Sequence, residues 1–190
     1  MAGLRVIAGK AKGRRLSSVP GDTTRPITDR AKESLFNIIG MDVVGATFLD
    51  LFAGTGSVGI EALSRGASWA RFLEINRQAA VTLRANLAVT GLTAEAEIMR
   101  MDAHKMLKLP PDRIFDYAFI APPQYQGIWI QALKNLDANP KWLSDDAWVI
   151  VQIHPIEYEV LSLVHLTEFD QRHYGSVTFV FYSRKEAGSR

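Results

Sequence analysis

The sequence predicts an α/β fold built around a mostly parallel β-sheet, and three observations support that prediction. Strand-like runs alternate with helical patterns from residue 47 to residue 153. These runs are apolar nearly throughout, which is typical of parallel strands covered by helices on both faces. A glycine-rich loop joins the first run to its helix, as in folds that bind nucleotide-like ligands. The length of 190 residues and the hydrophobic content of 47% fit one compact domain with a short appendage.

The individual elements follow from hydrophobic periodicity and from residues that begin or end helices. A first helix is expected to begin at Thr28 or Asp29, both good N-caps, and to end near Ile39 before Gly40. The other predicted helices cover residues 57–65, 77–90, 103–107 and about 128–136. The predicted strands cover residues 47–52, 69–74, 96–99, 115–120 and 148–153. Two final runs, residues 166–172 and 177–182, predict a closing hairpin that adds one antiparallel strand to the sheet.

The N-terminal segment is basic and has the pattern of a β-ribbon. Residues 1–32 contain eight Lys and Arg against two Asp, a local charge of +6, so a chain of net charge +2 has −4 elsewhere. Residues 4–8 and 14–19 are β-prone, and the loop between them contains Lys10 and Lys12. Basic groups on an ordered ribbon favour a phosphate-rich partner, because each neutralised phosphate releases counterions. A solvated, solubilising tail is the alternative.

Composition excludes several classes of site. The chain has no cysteine, which removes disulfides, thiolate zinc sites and cysteine nucleophiles and suits a reducing cytosol, so we expect a cytoplasmic protein. The N-terminus lacks the pattern of a signal peptide, and no stretch reaches the roughly 18 apolar residues of a membrane span. The four histidines show no metal-ligand spacing. We therefore expect neither a membrane segment nor a metal.

The segment of residues 50–59, with sequence DLFAGTGSVG, predicts the cofactor site. Gly54, Gly56 and Gly59 form a G-x-G-x-x-G pattern between a strand and a helix, which dehydrogenases share. Asp50, at the carboxyl end of the strand, would repel a dinucleotide pyrophosphate but attract the ammonium of a methionine moiety. S-adenosylmethionine (SAM) is therefore favoured over a dinucleotide. An NAD(P) oxidoreductase and a glycine turn that serves only packing remain the alternatives.

Two later carboxylates extend this site. Glu74 ends the second predicted strand, where an acidic residue can accept hydrogen bonds from both ribose hydroxyls of either cofactor class. Asp102 and the backbone amide of Ala103 follow the third strand, where they could contact the adenine edge. Asp102 could equally be only the cap of the helix that follows.

These segments together resemble the family of bacterial small-subunit (16S) ribosomal RNA guanine-N2 methyltransferases over nearly the whole chain. The similar stretches are residues 5–10 with Gly13 and Arg14, 25–30 with 33–37, 49–56 and 59–67. The first stretch and residues 25–30 are specific to the family, whereas many methyltransferases share the glycine loop. The resemblance implies a Rossmann-like class I SAM-dependent methyltransferase with a seven-stranded sheet. It also implies transfer of a methyl group to the exocyclic N2 amine of a guanine in small-subunit ribosomal RNA.

The resemblance also suggests roles for particular residues and parts of the chain. The expected cofactor-binding residues are Asp50, Phe52, Gly54, Gly56, Glu74, Asp102 and Ala103. The expected RNA-binding residues are Arg5, Lys10, Lys12, Arg14, Arg15, Arg25, Thr28 and Arg30. We expect residues 1–40 to form an RNA-binding arm and helix, residues 41–186 the SAM-binding domain, and residues 187–190 a frayed tail. The expected partner is ribosomal RNA or a small-subunit particle, contacted by a monomer.

One departure from the family concerns the loop after the fourth strand. The family carries Asp-Pro-Pro-Tyr or Asp-Pro-Pro-Phe, whereas this chain has Ala121, Pro122, Pro123, Gln124 and Tyr125. An exocyclic amine is a weak nucleophile that needs two hydrogen-bond acceptors to aim its nitrogen, and a stacked aromatic ring to hold its base. We therefore expect Pro122, Pro123, Gln124 and Tyr125 to form the catalytic loop, with the Pro122 carbonyl and the Gln124 carboxamide as acceptors and Tyr125 supplying the ring.

Two other functions remain open at this point. The first is a catalytically weakened or inactive RNA-binding or ribosome-assembly protein that retains the SAM fold, for which Ala121 is the main support. The second is an amino-methyltransferase that acts on adenine in DNA, because such enzymes use the same pair of prolines.

Overall fold

The computed structural model describes residues 4–21 and 27–185, which form one sheet with helices on both faces. The helices are α1 (Asp29–Ile39), α2 (Ser57–Ser64), α3 (Arg77–Thr90), α4 (Ala103–Leu107) and α5 (Ile128–Ala138). The strands are β1 (Thr47–Asp50), β2 (Trp69–Leu73), β3 (Ala96–Met99), β4 (Phe115–Ile120), β5 (Leu143–Ile153), β6 (Leu166–Tyr174) and β7 (Val177–Arg184). Arg25 and the expected frayed tail, residues 187–190, lie outside the described residues.

The sheet has seven strands in the order β3-β2-β1-β4-β5-β7-β6. The first five strands pair in parallel, and β7 is antiparallel to both β5 and β6. Strand β7 is therefore the single antiparallel strand, so the predicted mixed sheet and the closing hairpin are confirmed. Strand order reverses between β1 and β4, and ligands of open α/β sheets bind at the carboxyl ends of the strands beside such a point.

Strand β5 corrects the sequence prediction, which began this strand at residue 148. The structure begins it at Leu143, which pairs with Phe115 of β4 before the register shifts at a bulge between Phe115 and Tyr117. The residues after Leu143 are Ser, Asp and Asp, and the two aspartates are exposed. Their polarity concealed a strand segment that depends on pairing with β4.

Two apolar clusters fill the space on the two faces of the sheet. Neighbouring residues of β1 belong to different clusters, Phe48 to one and Leu49 to the other, because side chains alternate along a strand. Helices α1, α2 and α3 pack with Phe48, whereas α4 and α5 pack with Leu49. None of the helices in the described ranges combines the length and apolar character needed to cross a membrane.

Helix α1 begins and ends where its capping residues predict. The side-chain oxygen of Thr28 accepts a hydrogen bond from the Ala31 amide at 3.2 Å. Gly40 follows the last residue in a positive-φ conformation, φ = 65°. Glycine adopts this conformation without the steric penalty of a side chain, which explains why the helix stops there.

The predicted N-terminal hairpin is present as a short ribbon. Arg5 and Arg15 form an antiparallel bridge, and the Val6 amide donates to the Arg14 carbonyl at 2.9 Å. Val6 and Leu16 are buried in the same cluster as α1 to α3. The ribbon is therefore packed into the core on one side of the sheet.

Candidate active site

The candidate active site lies at the carboxyl edge of the parallel strands. Asp50 ends β1, Glu74 follows β2, Asp102 follows β3 by three residues, and Pro122 follows β4 by two. Parallel strands end at one edge of their sheet, so the topology brings these four sequence-predicted positions to a common edge. The edge also contains the reversal of strand order, where α/β sheets bind their ligands.

The glycine loop between β1 and α2 presents its backbone to this edge. Gly54 and Gly56 have positive φ values of 53° and 78°. A Cβ atom on Gly56 would lie 2.1 Å from Cδ1 of Leu83, whereas one on Gly54 would meet no atom within 4 Å. Gly56 therefore packs against α3, while Gly54 leaves open space through which a ligand can approach the backbone.

Glu74 is held against this loop. One carboxylate oxygen, Oε2, accepts a hydrogen bond from the Gly54 amide at 2.8 Å, and the other accepts from the Asn76 amide at 2.7 Å. The carboxylate oxygens have room for further donors, since each has two lone pairs. The half-buried Glu74 thus lies beside the glycine loop as a fixed acceptor.

Asp50 is a buried carboxylate that lacks a full set of partners. Its side chain is 2% exposed, and its Oδ1 atom has no hydrogen-bond partner among the described residues. Burial raises the pKa of Asp50 to about 7; the backbone amides of Gly59 and Phe52 lower it, and the charge of Glu74 raises it further. An unpaired buried acceptor is costly, so a cationic donor from a ligand would be bound favourably here.

Asp102 caps a helix, which was one of the two roles open from the sequence. Its Oδ1 atom accepts a hydrogen bond from the Lys105 amide at 2.9 Å, and Ala103 is the buried first residue of α4. The half-buried ring of Phe52 meets the His104 ring edge-on, with 6.2 Å between centroids. The cap leaves Oδ2 of Asp102 available, so capping and ligand contact are compatible.

The residues of the loop after β4, residues 121–125, differ in their exposure to solvent. Ala121 is half-buried and Pro122 is buried, whereas Pro123 and Gln124 are exposed. Tyr125 is 63% exposed and has a positive φ of 63°, the only such non-glycine residue in the described part of the chain. A side chain in this conformation is strained by about 1 kcal/mol or more, and such strain clusters at functional sites.

Glu157 fixes this loop and was missed by sequence reasoning. Its Oε1 atom accepts a hydrogen bond from the Tyr125 amide at 2.7 Å, and Oε2 accepts from the His154 amide at 3.1 Å. The rings of Tyr125 and His154 lie 5.7 Å apart. The Glu157 carboxylate thus connects the loop after β4 to the residue that follows β5. No local pattern around Glu157 indicates a partner 32 residues away.

The hairpin is bound to helix α2 through polar contacts. The two carboxylate oxygens of Glu61 accept hydrogen bonds from the amides of Ile7 and Ala8 at 2.8 and 3.0 Å. A Cβ atom on Gly9 would lie 1.8 Å from the Ser64 carbonyl oxygen, so only glycine allows this close approach. The ribbon therefore cannot move independently of the helix that follows the glycine loop.

Lys32 is one of the eight basic residues counted in the N-terminal segment, but its charge is not exposed. It is fully buried, and its ammonium donates to the Arg5 carbonyl at 2.6 Å and to Ser57 Oγ at 3.0 Å. The ammonium also lies 3.4 Å from Glu61 Oε2. Burial lowers the pKa of Lys32, whereas the Glu61 carboxylate raises it. Lys32 therefore links the ribbon to α2 and contributes nothing to the basic surface.

The remaining basic residues fall into two groups. Arg5 pairs with Asp29 at 2.8 Å and Lys10 pairs with Glu95 at 2.6 Å, so part of their charge is compensated. The second group is exposed and forms no ion pair among residues 4–21 and 27–185; it comprises Lys12, Arg14, Arg15 and Arg30. This second group is the cationic surface that the structure leaves available.

Asn86 is a further residue that the sequence did not reveal. Its amide group is buried in α3, accepts from the Ser17 amide at 2.8 Å and donates to the carbonyls of Ser17 and Thr55 at 3.0 and 2.9 Å. It thus joins the end of the ribbon to the glycine loop. A polar residue of low helix propensity inside a helix was the only available signal.

Comparisons with known proteins agree with this geometry. A family described as Conserved hypothetical protein 95 matches residues 4–183. The Bacillus subtilis protein YlbH is 37% identical over 96% of this chain and 100% of its own. Ribosomal RNA small subunit methyltransferase D of Escherichia coli strain K12 is 36% identical over 78% of this chain and 74% of its own.

A solved structure is similar over almost the entire length. The Escherichia coli protein yhhF superposes with a TM-score of 0.84 and 31% identity, covering 97% of this chain and 99% of that one. The similarity includes the hairpin, the glycine loop and the closing strands, since it extends over nearly all of both chains.

Proposed function

Because the chain belongs to the family of bacterial ribosomal RNA small subunit methyltransferases, we propose that it methylates the exocyclic N2 amine of a guanine in small-subunit ribosomal RNA. The fold is that of class I methyltransferases, and SAM is the methyl donor. The observation that most supports the proposal is the buried, unpaired Asp50 carboxylate oxygen beside an open glycine loop at the reversal of strand order.

The residues at this edge fit the chemical groups of SAM. Asp50 would hold the ammonium of the methionine moiety, because a cation satisfies a buried carboxylate. Glu74, already fixed by the glycine loop, would accept the ribose hydroxyls. Asp102 and the Ala103 amide would contact the adenine edge. The bound cofactor supplies an activated methyl group on a sulfonium.

The loop after β4 would position the base. The Pro122 carbonyl and the Gln124 carboxamide oxygen would each accept one N–H of the amine, which directs the nitrogen lone pair towards the methyl group. The exposed Tyr125 ring would stack on the base, and Glu157 would hold the loop in its strained conformation. The amine proton can leave after the transfer, so no strong base is needed.

The basic ribbon would bind the RNA backbone. Lys12, Arg14 and Arg15 are exposed on a ribbon that is bound to α2, and α2 begins directly after the glycine loop. Phosphate contacts at fixed positions set the register of a nucleic acid on a protein. The ribbon would therefore orient the RNA relative to the cofactor.

Mapping of the modified base tests the proposed function. Purified protein is incubated with labelled SAM and with small-subunit particles that lack the modification, and the label is located by nuclease digestion and mass spectrometry. We expect one N2-methylguanine in the small-subunit RNA. Label on another base of this RNA, or on adenine in DNA offered in parallel, would contradict the guanine assignment.

Ala121 supports a second candidate, an RNA-binding assembly protein with little activity. The two functions are separated by the variants Gln124→Ala, Tyr125→Ala and Ala121→Asp, with Gln126→Ala as the matched control, because Gln126 is exposed in the same loop. We expect the first two to lower kcat by about 10-fold or more while SAM affinity is kept. If they leave turnover unchanged, Gln124 and Tyr125 do not replace the missing acidic and aromatic residues. If only Ala121→Asp is active, the natural chain is the assembly protein.

A further inference from the structure

A pocket of about 310 Å³ lies between the start of α1 and the turn that joins β6 to β7. We call it the α1–β6 pocket. Its lining residues are Thr28, Arg30, Ala31, His173, Tyr174 and Gly175. The lining includes none of residues 50–56 or 121–125, so it is separate from the cofactor loop and from the loop after β4.

The α1–β6 pocket opens at the same edge of the sheet as the candidate active site. Strand β6 runs parallel to β5, because both are antiparallel to β7. Thr178 of β7 is level with Ile153 at the end of β5 and with His173 near the end of β6. The end of β6 is three strand positions from that of β4, about 14 Å at a strand spacing of about 4.8 Å.

The lining combines a cation with an aromatic ring. Arg30 is exposed and has no ion-pair partner within the described ranges, and a guanidinium suits the planar oxygens of a phosphate. Tyr174 is half-buried, with its ring 5.9 Å from that of Phe179, so its position is fixed. The His173 ring is hydrogen-bonded to Thr178 Oγ1 through Nδ1 at 2.8 Å and lies on the other face of the sheet from the Tyr174 ring, because neighbouring side chains of a strand alternate.

Gly175 keeps the entrance of this pocket open. It has a positive φ of 63°, and a Cβ atom built on it would meet nothing within 4 Å. A fixed ring and an exposed guanidinium beside an open cavity match the parts of a nucleotide, namely a base face and a phosphate.

We infer that the α1–β6 pocket binds a nucleotide of the RNA next to the methylated one, with its base on Tyr174 and its phosphate on Arg30. This inference rests on the proposed function, since it takes the RNA as the substrate. A base bound there is unstacked from its neighbours, so the pocket selects RNA whose target lies in a single-stranded segment.

Steady-state kinetics on unmodified small-subunit particles test the inference. The variants are Tyr174→Leu, which removes the ring but keeps an apolar side chain, and Arg30→Gln, which removes the charge. Lys134→Gln is the matched control, because Lys134 is an exposed cation on α5, on the other face of the sheet. SAM affinity by calorimetry and the unfolding temperature verify that each variant is folded.

We expect Tyr174→Leu and Arg30→Gln each to raise KM for the particles about 10-fold, with SAM affinity unchanged. Tyr174→Phe, which restores the ring, recovers most of the loss. In binding measurements Arg30→Gln reduces the slope of log Kd against log salt concentration by about 1, whereas Tyr174→Leu leaves it unchanged.

The inference is wrong if both variants bind and react with the particles as the Lys134→Gln control does. If the parent protein transfers no methyl group, the proposed function fails, but the Kd values of the same variants for the particles still decide whether the pocket contacts RNA. Loss of SAM affinity in Tyr174→Leu would also contradict the inference about the pocket, because the higher KM would then come from a change in the cofactor site.

Discussion

At the scale of single residues, the buried Asp50 carboxylate lowers the free energy of unfolding when it is charged. Its pKa of about 7 in the folded protein lies above that of an unfolded aspartate, about 3.9. Its contribution to the free energy of unfolding is therefore fully present below about pH 4 and is lost as the pH rises through 7. Above pH 7 the carboxylate is mostly charged, and its buried Oδ1 atom has no hydrogen-bond partner among the described residues.

Replacement of Asp50 by Asn is expected to separate binding from stability. The uncharged amide weakens SAM binding at pH 7.5 by about 10-fold or more, because a charge-assisted hydrogen bond is lost. The same change raises the unfolding temperature of the cofactor-free protein above pH 7, since it removes the cost of a buried charge. Calorimetry with SAM and thermal unfolding at several pH values measure the two effects.

The pH dependence of SAM affinity gives a second result for the same residue. In the parent protein, affinity rises between about pH 5.5 and 7.5 as Asp50 loses its proton, a range in which the cofactor's amino group stays largely protonated. Asp50→Asn abolishes this rise. Asp42→Asn, an exposed carboxylate after α1, serves as the control and retains it. An unchanged pH profile in Asp50→Asn would show that another group controls binding.

Lys32 makes a prediction about stability alone. Lys32→Met leaves Glu61 buried with one ion-pair partner fewer, because Arg65 Nε at 2.8 Å then remains its only cation in the described part of the chain. We expect the free energy of unfolding to fall by about 3–5 kcal/mol, the usual effect of removing one partner from a buried pair. Denaturant unfolding measures this change, and a loss below about 1 kcal/mol would mean that Glu61 is satisfied without Lys32.

At the scale of elements, the two glycines of the cofactor loop serve different purposes. Gly56→Ala places a Cβ atom 2.1 Å from Leu83 Cδ1 at a positive φ of 78°, so overpacking of about 1–3 kcal/mol adds to a backbone strain of about 1–2 kcal/mol. Gly54→Ala meets no protein atom, so it costs only about 1–2 kcal/mol of backbone strain, but it fills the space where the cofactor approaches. For each variant, the loss of SAM affinity can be divided by the loss in free energy of unfolding. We expect this ratio to be larger for Gly54→Ala than for Gly56→Ala. Unfolding and calorimetry on both variants measure this ratio, and equal ratios would contradict separate roles.

Most element boundaries could be predicted because they depend on local chemistry. Thr28 and Gly40 determine where α1 begins and ends, and the apolar run of the central strand β4 indicates the bounds of that strand. The start of β5 at Leu143 could not be predicted, because its polar residues become a strand only by pairing with β4.

The same distinction applies to the candidate site. Asp50 and Glu74 were identified because strand ends and a glycine pattern indicate them. Lys32, Asn86 and Glu157 were not, because their partners lie 25 to 69 residues away and nothing local predicts such contacts. Sequence thus predicted the groups proposed to contact a ligand, and the structure revealed the groups that hold those in place.

At the scale of the whole molecule, the basic ribbon and the cofactor loop form one connected unit. Glu61 and Lys32 fasten the ribbon to α2, and Asn86 fastens its end to the glycine loop. RNA bound to the ribbon would therefore have a fixed position relative to the cofactor. Under the proposed function, this connection would let charge on the N-terminal segment determine which base reaches the carboxyl edge.

The ribbon makes a prediction about salt dependence. Arg14→Gln is expected to reduce the slope of log Kd against log salt concentration for the particles by about 1, since an exposed arginine releases counterions when it meets a phosphate. Lys10→Gln should change the slope less, because Lys10 is already paired with Glu95 at 2.6 Å. Binding titrations between about 50 and 200 mM salt distinguish the two variants. A slope in Arg14→Gln equal to that of the parent protein would contradict the ribbon's role.

A crystal structure with bound S-adenosylhomocysteine tests the central claim most directly. The account predicts the ligand at the carboxyl edge, with its ammonium within hydrogen-bond distance of Asp50, its ribose hydroxyls on Glu74, and its sulfur facing the loop of residues 121–125. A ligand bound elsewhere, or an ordered ligand with Asp50 and Glu74 turned away from it, would contradict the account.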